Sequence, residues 1–126
     1  MPIKAHESPL AKIAAICLAL PEAERNDRGS HADFRVRNKP FAYYLDDHHG
    51  DGRVALCCKT ARGENRDYIA ADPKRFYSPP YIGPRGWVAL RVDIKPVPWG
   101  TVRDIIGDSY RLTAPKRLLA KLGATS

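Results

Sequence analysis

The sequence has none of the short motifs by which most catalytic sites are found. It contains no glycine-rich phosphate loop, no Gly-x-Ser-x-Gly elbow and no His-Glu-x-x-His pair. Its three cysteines, Cys17, Cys57 and Cys58, have no metal-ligand spacing. Cys57 or Cys58 with His31, His48 or His49 could form a nucleophile pair, but cysteines on strands are usually inert. We therefore expect a binding protein without a cofactor rather than an enzyme.

Long apolar runs are also lacking. Lys12 interrupts the first apolar stretch, so that only residues 13–20 remain. A membrane-spanning helix needs about 20 apolar residues, and this run is also too short and too well capped for a signal peptide. An odd number of cysteines without a disulfide framework is typical of a reducing compartment. We expect a cytoplasmic, monomeric protein that does not bind membranes.

Acidic residues are scarce in the second half of the chain. The formal net charge is +7, and residues 61–126 carry twelve Lys and Arg against six Asp and Glu, whereas residues 1–60 carry nine against eight. A basic surface attracts polyanions and steers their approach. Many small domains carry such a charge for solubility alone, so charge favours an anionic partner without identifying it.

The spacing of apolar residues predicts one domain over residues 1–126. At helical spacing it predicts core-facing stripes in the first helix, at Leu10, Ile13, Ala14, Cys17 and Leu18, and in the helix after Pro98, at Val102, Ile105, Ile106, Ser109 and Tyr110. The predicted elements, in order, are a helix from Ser8-Pro9 to Pro21, a polar loop at 22–32, a hairpin at 34–45, a strand at 53–59, a short helix at 62–71, an ordered loop at 77–84, a strand at 87–94, and a helix after each of Pro98 and Pro115. Helices before and after a run of antiparallel strands indicate an α+β fold, with the N- and C-terminal helices on one face of a twisted sheet.

The register of the hairpin decides which side chains face solvent. A two-residue turn at Asn38-Lys39 pairs Val36 with Phe41 and Phe34 with Tyr43. The residues predicted to be buried by this register and by the later strand are Phe34, Val36, Phe41, Tyr43, Val88, Leu90 and Val92. A slip by one residue would exchange the two faces.

Candidate contacts for a nucleic acid lie on the outer face of the predicted sheet. They are cations for phosphates and rings for stacking: Arg35, Arg37, Lys39, Tyr44, Trp87 and Arg91. The alternative is a solvated face whose arginine stems cover the rings. Trp87 is also expected to pack beneath the proline-rich loop that precedes it.

A second basic group lies near the end of the chain, at Arg111, Lys116, Arg117 and Lys121. The alternative interpretation is that cations near a helix C-terminus complement the helix dipole. Arg111 could also be held by a carboxylate such as Asp108 or Asp104.

Short sequence pieces follow one another along residues 8–120 in a characteristic order. They are Leu20-Pro21-Glu22-Ala23, Phe34-Arg35-Val36, Lys39, Phe41-Ala42, Lys59, Arg75-Phe76-Tyr77, Pro80-Tyr81, Gly83, Gly86-Trp87-Val88, Ser109-Tyr110-Arg111-Leu112 and Ala114-Pro115-Lys116. Their order and spacing resemble the YjbR family of small bacterial proteins, also called MmcQ. The resemblance implies a CyaY-like, double-wing fold, and such families are usually labelled DNA-binding. No contact or catalytic residue carries over from it, and residues 26–31 are more polar than the family pattern.

A metal site is not expected. If Asp47 is taken as the first position of a calcium loop, position twelve is Cys58, where a glutamate is required. The adjacent His48 and His49 with nearby aspartates are more typical of a solvated turn than of a metal site. A frataxin-like iron site would need acidic residues along the first helix, and residues 8–20 contain none.

The sequence leaves two hypotheses for function. The first is a DNA-binding module that uses its basic sheet face without base preference, because it has no helix-turn-helix, zinc finger or basic zipper. Four or five such cations predict a log–log salt slope of about −4 and a dissociation constant of roughly 10⁻⁴–10⁻⁶ M. The second is an adaptor for a protein or small ligand that uses the loop 76–87, although that loop is also suited to cover a sheet edge. Cations that converge in one patch would favour the first hypothesis.

Overall fold

The computed structural model describes residues 8–47 and 50–125, with side chains up to Leu122. The elements are α1 (Pro9–Leu18), β1 (Ala23–Arg28), β2 (His31–Val36), β3 (Lys39–Asp46), β4 (Val54–Lys59), α2 (Glu64–Ala71), β5 (Phe76–Tyr77), a 3₁₀ turn (Gly83–Arg85), β6 (Trp87–Arg91), α3 (Trp99–Thr113) and α4 (Lys116–Thr125). The strands form one antiparallel sheet in the order β1-β2-β3-β4-β6-β5. The predicted α+β fold is confirmed, with six strands in this sheet.

The helices pack on one face of the sheet and enclose the main core. The Ser8 hydroxyl accepts the Ala11 N–H, as predicted for a helix N-cap. Every residue predicted for the apolar stripe of α3 is buried: Val102, Ile105, Ile106, Ser109 and Tyr110. In α1 the prediction was wrong at Leu18, which is 44% exposed; Ile13, Ala14 and Cys17 are buried, and Leu10 and Ile16 are partly buried against the core.

A strand forms where the sequence predicts a loop. Residues Ala23–Arg28 pair along their whole length with β2 at the edge of the sheet. The side chains from Glu24 to Arg28 are all exposed. This strand therefore has no apolar alternation, and its pairing comes from backbone hydrogen bonds that periodicity does not reveal. The prediction of a loop at 22–32 was wrong for this reason.

The hairpin turn lies one residue earlier than predicted. Arg37 and Asn38 both have positive φ, 50° and 66°, which is the backbone of a two-residue type I′ turn. Val36 therefore pairs with Lys39, and a bulge inserts Phe41 as an extra residue before Phe34 pairs with Ala42.

The bulge reverses two of the predicted orientations. Phe41 stays buried as predicted, but Tyr44 turns into the core, where it is 7% exposed. Tyr43 was predicted to be buried in the main core; it instead lies half-buried on the opposite face, with its ring 5.3 Å from that of Trp87.

The opposite face of the sheet has a small apolar cluster of its own. Its buried members are Ala55, Cys57, Trp87 and Ala89, and Tyr43, Leu45, Tyr77 and Ile82 pack around them. Ile82 belongs to the proline-rich loop, so Trp87 lies beneath that loop as predicted and is only 8% exposed. The loop is a cover for this part of the sheet.

Ser109 links α3 to two strands that are distant in sequence. Its hydroxyl donates to the Phe41 carbonyl at 2.6 Å and accepts the Lys59 N–H at 3.0 Å. The serine is fully buried. If its hydroxyl were removed, both backbone groups would lose their hydrogen-bond partner in a place that water does not reach.

We predict that Ser109→Ala destabilises the protein by about 2–4 kcal/mol, because it leaves one buried donor and one buried acceptor unsatisfied. The measurement is the free energy of unfolding in urea. Thr113→Ala is the control: its hydroxyl donates only to the Ser109 carbonyl within the same helix, and its loss should cost about 1 kcal/mol or less. Equal effects of the two substitutions would contradict the prediction.

Candidate anion-binding cleft

A cleft of about 1030 Å³ opens beside the end of β4. Its walls come from the turn between β4 and α2, from α2 itself, from the loop between β5 and β6, and from Leu112 of α3. Four basic residues line it: Lys59, Arg62, Arg66 and Arg85. No aspartate or glutamate in the described ranges lines this cleft. We call these four residues the cleft cations.

Hydrogen bonds between the two loops fix the shape of the cleft. The Thr60 N–H and the Thr60 hydroxyl both donate to the Gly86 carbonyl, at 2.8 and 2.7 Å. Asn65 Nδ2 donates to the Gly83 carbonyl at 3.1 Å. A Cβ at Gly83 would collide with the Ser78 hydroxyl, so a larger residue there would require that side chain to move. The cleft walls are thus tied together by the backbone.

The cleft cations are not neutralised within the described part of the chain. None of them belongs to an ion pair there. The nearest acidic position in sequence, Glu64, accepts the Ala61 N–H at 3.2 Å through its carboxylate. Arginine guanidinium groups bind phosphates through paired hydrogen bonds, and lysine adds a compact charge. The arrangement is suited to bind a phosphate-bearing anion.

The arginines predicted for the outer face are held by carboxylates of this same chain. Arg35 Nε donates to Asp33 at 2.7 Å, and Asp33 is buried. Arg91 donates to both carboxylate oxygens of Asp93, at 3.0 and 2.9 Å, and this hydrogen-bonded cation lowers the pKa of Asp93. These two cations contribute little net positive charge to the sheet face.

Arg37 lies in the hairpin turn and pairs with Glu22 at 2.6 Å. The hydrogen bond from Arg37 is the main cause of the lowered pKa of Glu22, and the nearby cations Lys121 and Arg117 lower it further. Arg111 contacts Asp108 at 3.4 Å, so the predicted pairing of this arginine with a neighbouring carboxylate is confirmed.

The two rings predicted for stacking are not available on the surface. Tyr44 faces the main core and Trp87 lies under the proline-rich loop. The remaining predicted contacts, Lys39, Lys116 and Arg117, are exposed and belong to no ion pair in the described ranges. The predicted contacts therefore include two buried rings and four arginines paired with carboxylates of this chain, and Arg117 lies near Glu22, the partner of Arg37.

Sequence reasoning missed three of the cleft cations entirely and noted Lys59 only for its family resemblance. A signal was present in the run Lys59-Thr60-Ala61-Arg62-Gly63, in which two cations flank the end of a strand. What links this run to Arg85 is the bonding of Thr60 to Gly86, a contact between segments 26 residues apart. No local pattern predicts that contact.

Two smaller basic grooves are less well suited to bind an anion. One, of about 430 Å³, has Arg53, Lys74 and Arg91, but Arg53 lies over the Tyr77 ring at 4.1 Å and Arg91 is bound by Asp93. The other, of about 880 Å³, has Lys12 and Lys95, and Lys12 lies over the Trp99 ring at 5.1 Å. Their cations are largely engaged by this chain itself.

Metal ligands do not converge in the part of the chain that the structure describes. No group of three or more His, Cys, Asp or Glu there is placed to hold a metal ion. The His48-His49 pair lies outside the described residues. Across residues 8–47 and 50–125, no helix is both long and apolar enough to cross a membrane.

The fold defines a class of small α+β domains, with an antiparallel sheet, helices on one face and here a basic cleft at the end of a central strand. The sequence profile of the YjbR family matches residues 18–112, and the chain belongs to this family. The crystal structure of Deinococcus radiodurans protein DR2400, described by its domain DUF419, is similar with a TM-score of 0.65 and 19% identity over 79% of this chain and 74% of that one. This likeness supports the fold. No curated protein matches the sequence.

We predict that the three cysteines do not react in the folded protein. All are buried, and burial raises the pKa of Cys17 and of Cys57 to about 12 and that of Cys58 well above its usual value. Since the thiolate is the reactive form, a thiol reagent at neutral pH should modify the native protein only slowly. After denaturation it should titrate all three. Rapid reaction of one native thiol would contradict this prediction.

Proposed function

We propose that this protein is a non-catalytic nucleic-acid-binding protein that holds phosphates of DNA in the cleft. One observation carries the proposal: three cations of residues 59–66 and Arg85 of the loop before β6 line one cleft that no described carboxylate lines. A group of cations attracts anions and steers their approach. Several cations in one groove are suited to a polyanion that presents phosphates in series.

The proposed binding is sequence-tolerant. Of the described helices, α2 is the one whose N-terminal end borders the cleft, and its first turn carries Glu64 and Asp67. These acids would oppose insertion of that end between phosphates, so α2 is a poor recognition helix. Contacts limited to phosphates position a nucleic acid without reading its bases.

The adaptor hypothesis has weaker support. In the loop 76–87, Pro79 is buried, and Ile82 is half-buried against the sheet of its own chain. Tyr81 is the large hydrophobic side chain of this loop that is exposed to solvent. One ring covers far less than the roughly 800 Å² per partner that a stable protein interface buries.

The decisive experiment reverses charge in two places. In the first variant Arg62, Arg66 and Arg85 become Glu; in the second, Lys39, Lys116 and Arg117 become Glu. The two variants have the same net charge. Arg35 is left intact, because a glutamate there would lie beside the buried Asp33. Binding to DNA is measured by titration over a range of salt concentrations.

We predict that the wild-type log–log salt slope is about −3 to −4, since four cations contribute about 0.7–0.9 each. The cleft variant should lose at least about 100-fold in affinity at low salt and have a nearly flat slope. The control variant should lose less than about tenfold, through the weaker general field. Equal losses would mean that net charge alone attracts DNA. Absence of binding by the wild type at low salt would refute the proposed function.

A further inference from the structure

Tyr81 is a ring that the fold does not use. It is 86% exposed, the highest value among the large hydrophobic side chains of the described residues. The other described tyrosine and tryptophan rings are buried or half-buried. Packing therefore gives no reason for an aromatic residue at this position.

The backbone at Tyr81 is also unfavourable for a tyrosine. Its φ is +68°, in the left-handed region, where glycine or asparagine is better accommodated. The turn is nevertheless well fixed: the Gly83 N–H donates to the Pro79 carbonyl at 2.9 Å and the Ile82 N–H to the Pro80 carbonyl at 2.8 Å. Strained residues held by their surroundings are concentrated at functional sites.

Tyr81 does not line the cleft itself, but it belongs to the loop that forms one of the cleft walls. Gly83, two residues away, forms part of the cleft wall, and Arg85 follows two residues later in the same loop. Because consecutive Cα atoms are about 3.8 Å apart, the Cα of Tyr81 is within about 7.6 Å of that wall. This is comparable to the spacing between a phosphate and its own base in a nucleic acid strand. Ile82, in between, points to the sheet and anchors the loop.

We infer that the ligand of the cleft is a single-stranded nucleic acid, with one base stacked on the Tyr81 ring while the phosphates lie among the cleft cations. The inference rests on the proposed function and adds to it the form of the ligand. In a duplex the bases are stacked on each other and their faces are not accessible. In a single strand each base has a free face, and a protein ring that stacks on it adds affinity with little dependence on sequence.

The test compares two substitutions at Tyr81. Tyr81→Asn keeps a residue that tolerates the left-handed backbone and removes the ring; Tyr81→Trp keeps an aromatic ring. The ligands are oligothymidylate of about 12 nucleotides, which is within the site sizes of known single-strand binders, an abasic strand of equal length, and a duplex of equal length. The abasic strand has the same phosphates without a base to stack.

We predict that Tyr81→Asn weakens binding to oligothymidylate by about tenfold, which corresponds to about 1.4 kcal/mol and to one base–aromatic stack. Binding of the same variant to the abasic strand and to the duplex should change by less than about twofold. Tyr81→Trp should retain the affinity of the wild type, and its added indole should be quenched by oligothymidylate and not by the abasic strand. An oligouridylate tested in parallel separates DNA from RNA as the source of the strand.

Failure of the single-strand inference and failure of the proposed cleft would give different results. If Tyr81→Asn affects all three ligands equally or leaves all unchanged, the single-strand inference is overturned, while the dependence on the cleft cations can still stand. If the ring matters but reversal of Arg62, Arg66 and Arg85 does not, the phosphates lie elsewhere and the proposed cleft is wrong. Tighter binding of the wild type to the duplex than to oligothymidylate would also overturn the inference.

Discussion

The hydroxyl of Ser109 connects the helical layer to the middle of the sheet, and the cleft depends on that connection. It bridges the bulge of β3 at Phe41 and the end of β4 at Lys59. The next residue, Tyr110, donates to the Pro21 carbonyl at 2.7 Å and packs edge-to-face on Phe41. Two adjacent residues of α3 thus hold points that are up to 89 residues away in sequence. Lys59 is one of the two residues that the Ser109 hydroxyl bridges. The bridge therefore fixes the end of β4, where the cleft begins.

Elements with an apolar period could be predicted from the sequence, and elements without one could not. The buried stripe of α3 was predicted residue by residue, since a helix that packs on a sheet repeats its apolar positions every three or four residues. The strand β1 has no such repeat, because it is an edge strand with polar side chains. The register of β3 depends on where the turn and the bulge lie, and a bulge leaves no pattern at Pro40-Phe41 other than the proline itself. One extra residue was enough to exchange Tyr43 and Tyr44.

Strand geometry explains why two of the arginines predicted for the outer face of the sheet are paired with carboxylates. Side chains two residues apart on a strand lie on the same face. Arg35 with Asp33 and Arg91 with Asp93 have this spacing, so each aspartate neutralises the arginine beside it. Counting cations along the sheet face without these partners overestimated its charge. The ionic partner of a strand arginine can be predicted from the sequence at this spacing. The cleft could not be predicted in this way, because it depends on the contact between Thr60 and Gly86, which joins two loops.

The arginines paired with carboxylates and the unpaired cleft cations lie in different parts of the molecule. Three arginines, Arg25, Arg35 and Arg91, each pair with an aspartate two residues away. In the cleft, the four cations come from the end of β4, from the turn after it, from α2 and from the loop before β6; none has such a partner, and no described carboxylate lines the cleft. Tyr81, which is 86% exposed at a φ of +68°, belongs to the same loop as Arg85. Unpaired cations and an exposed ring thus lie close together near the end of β4, and the proposed single-stranded ligand would engage both, through its phosphates and one base.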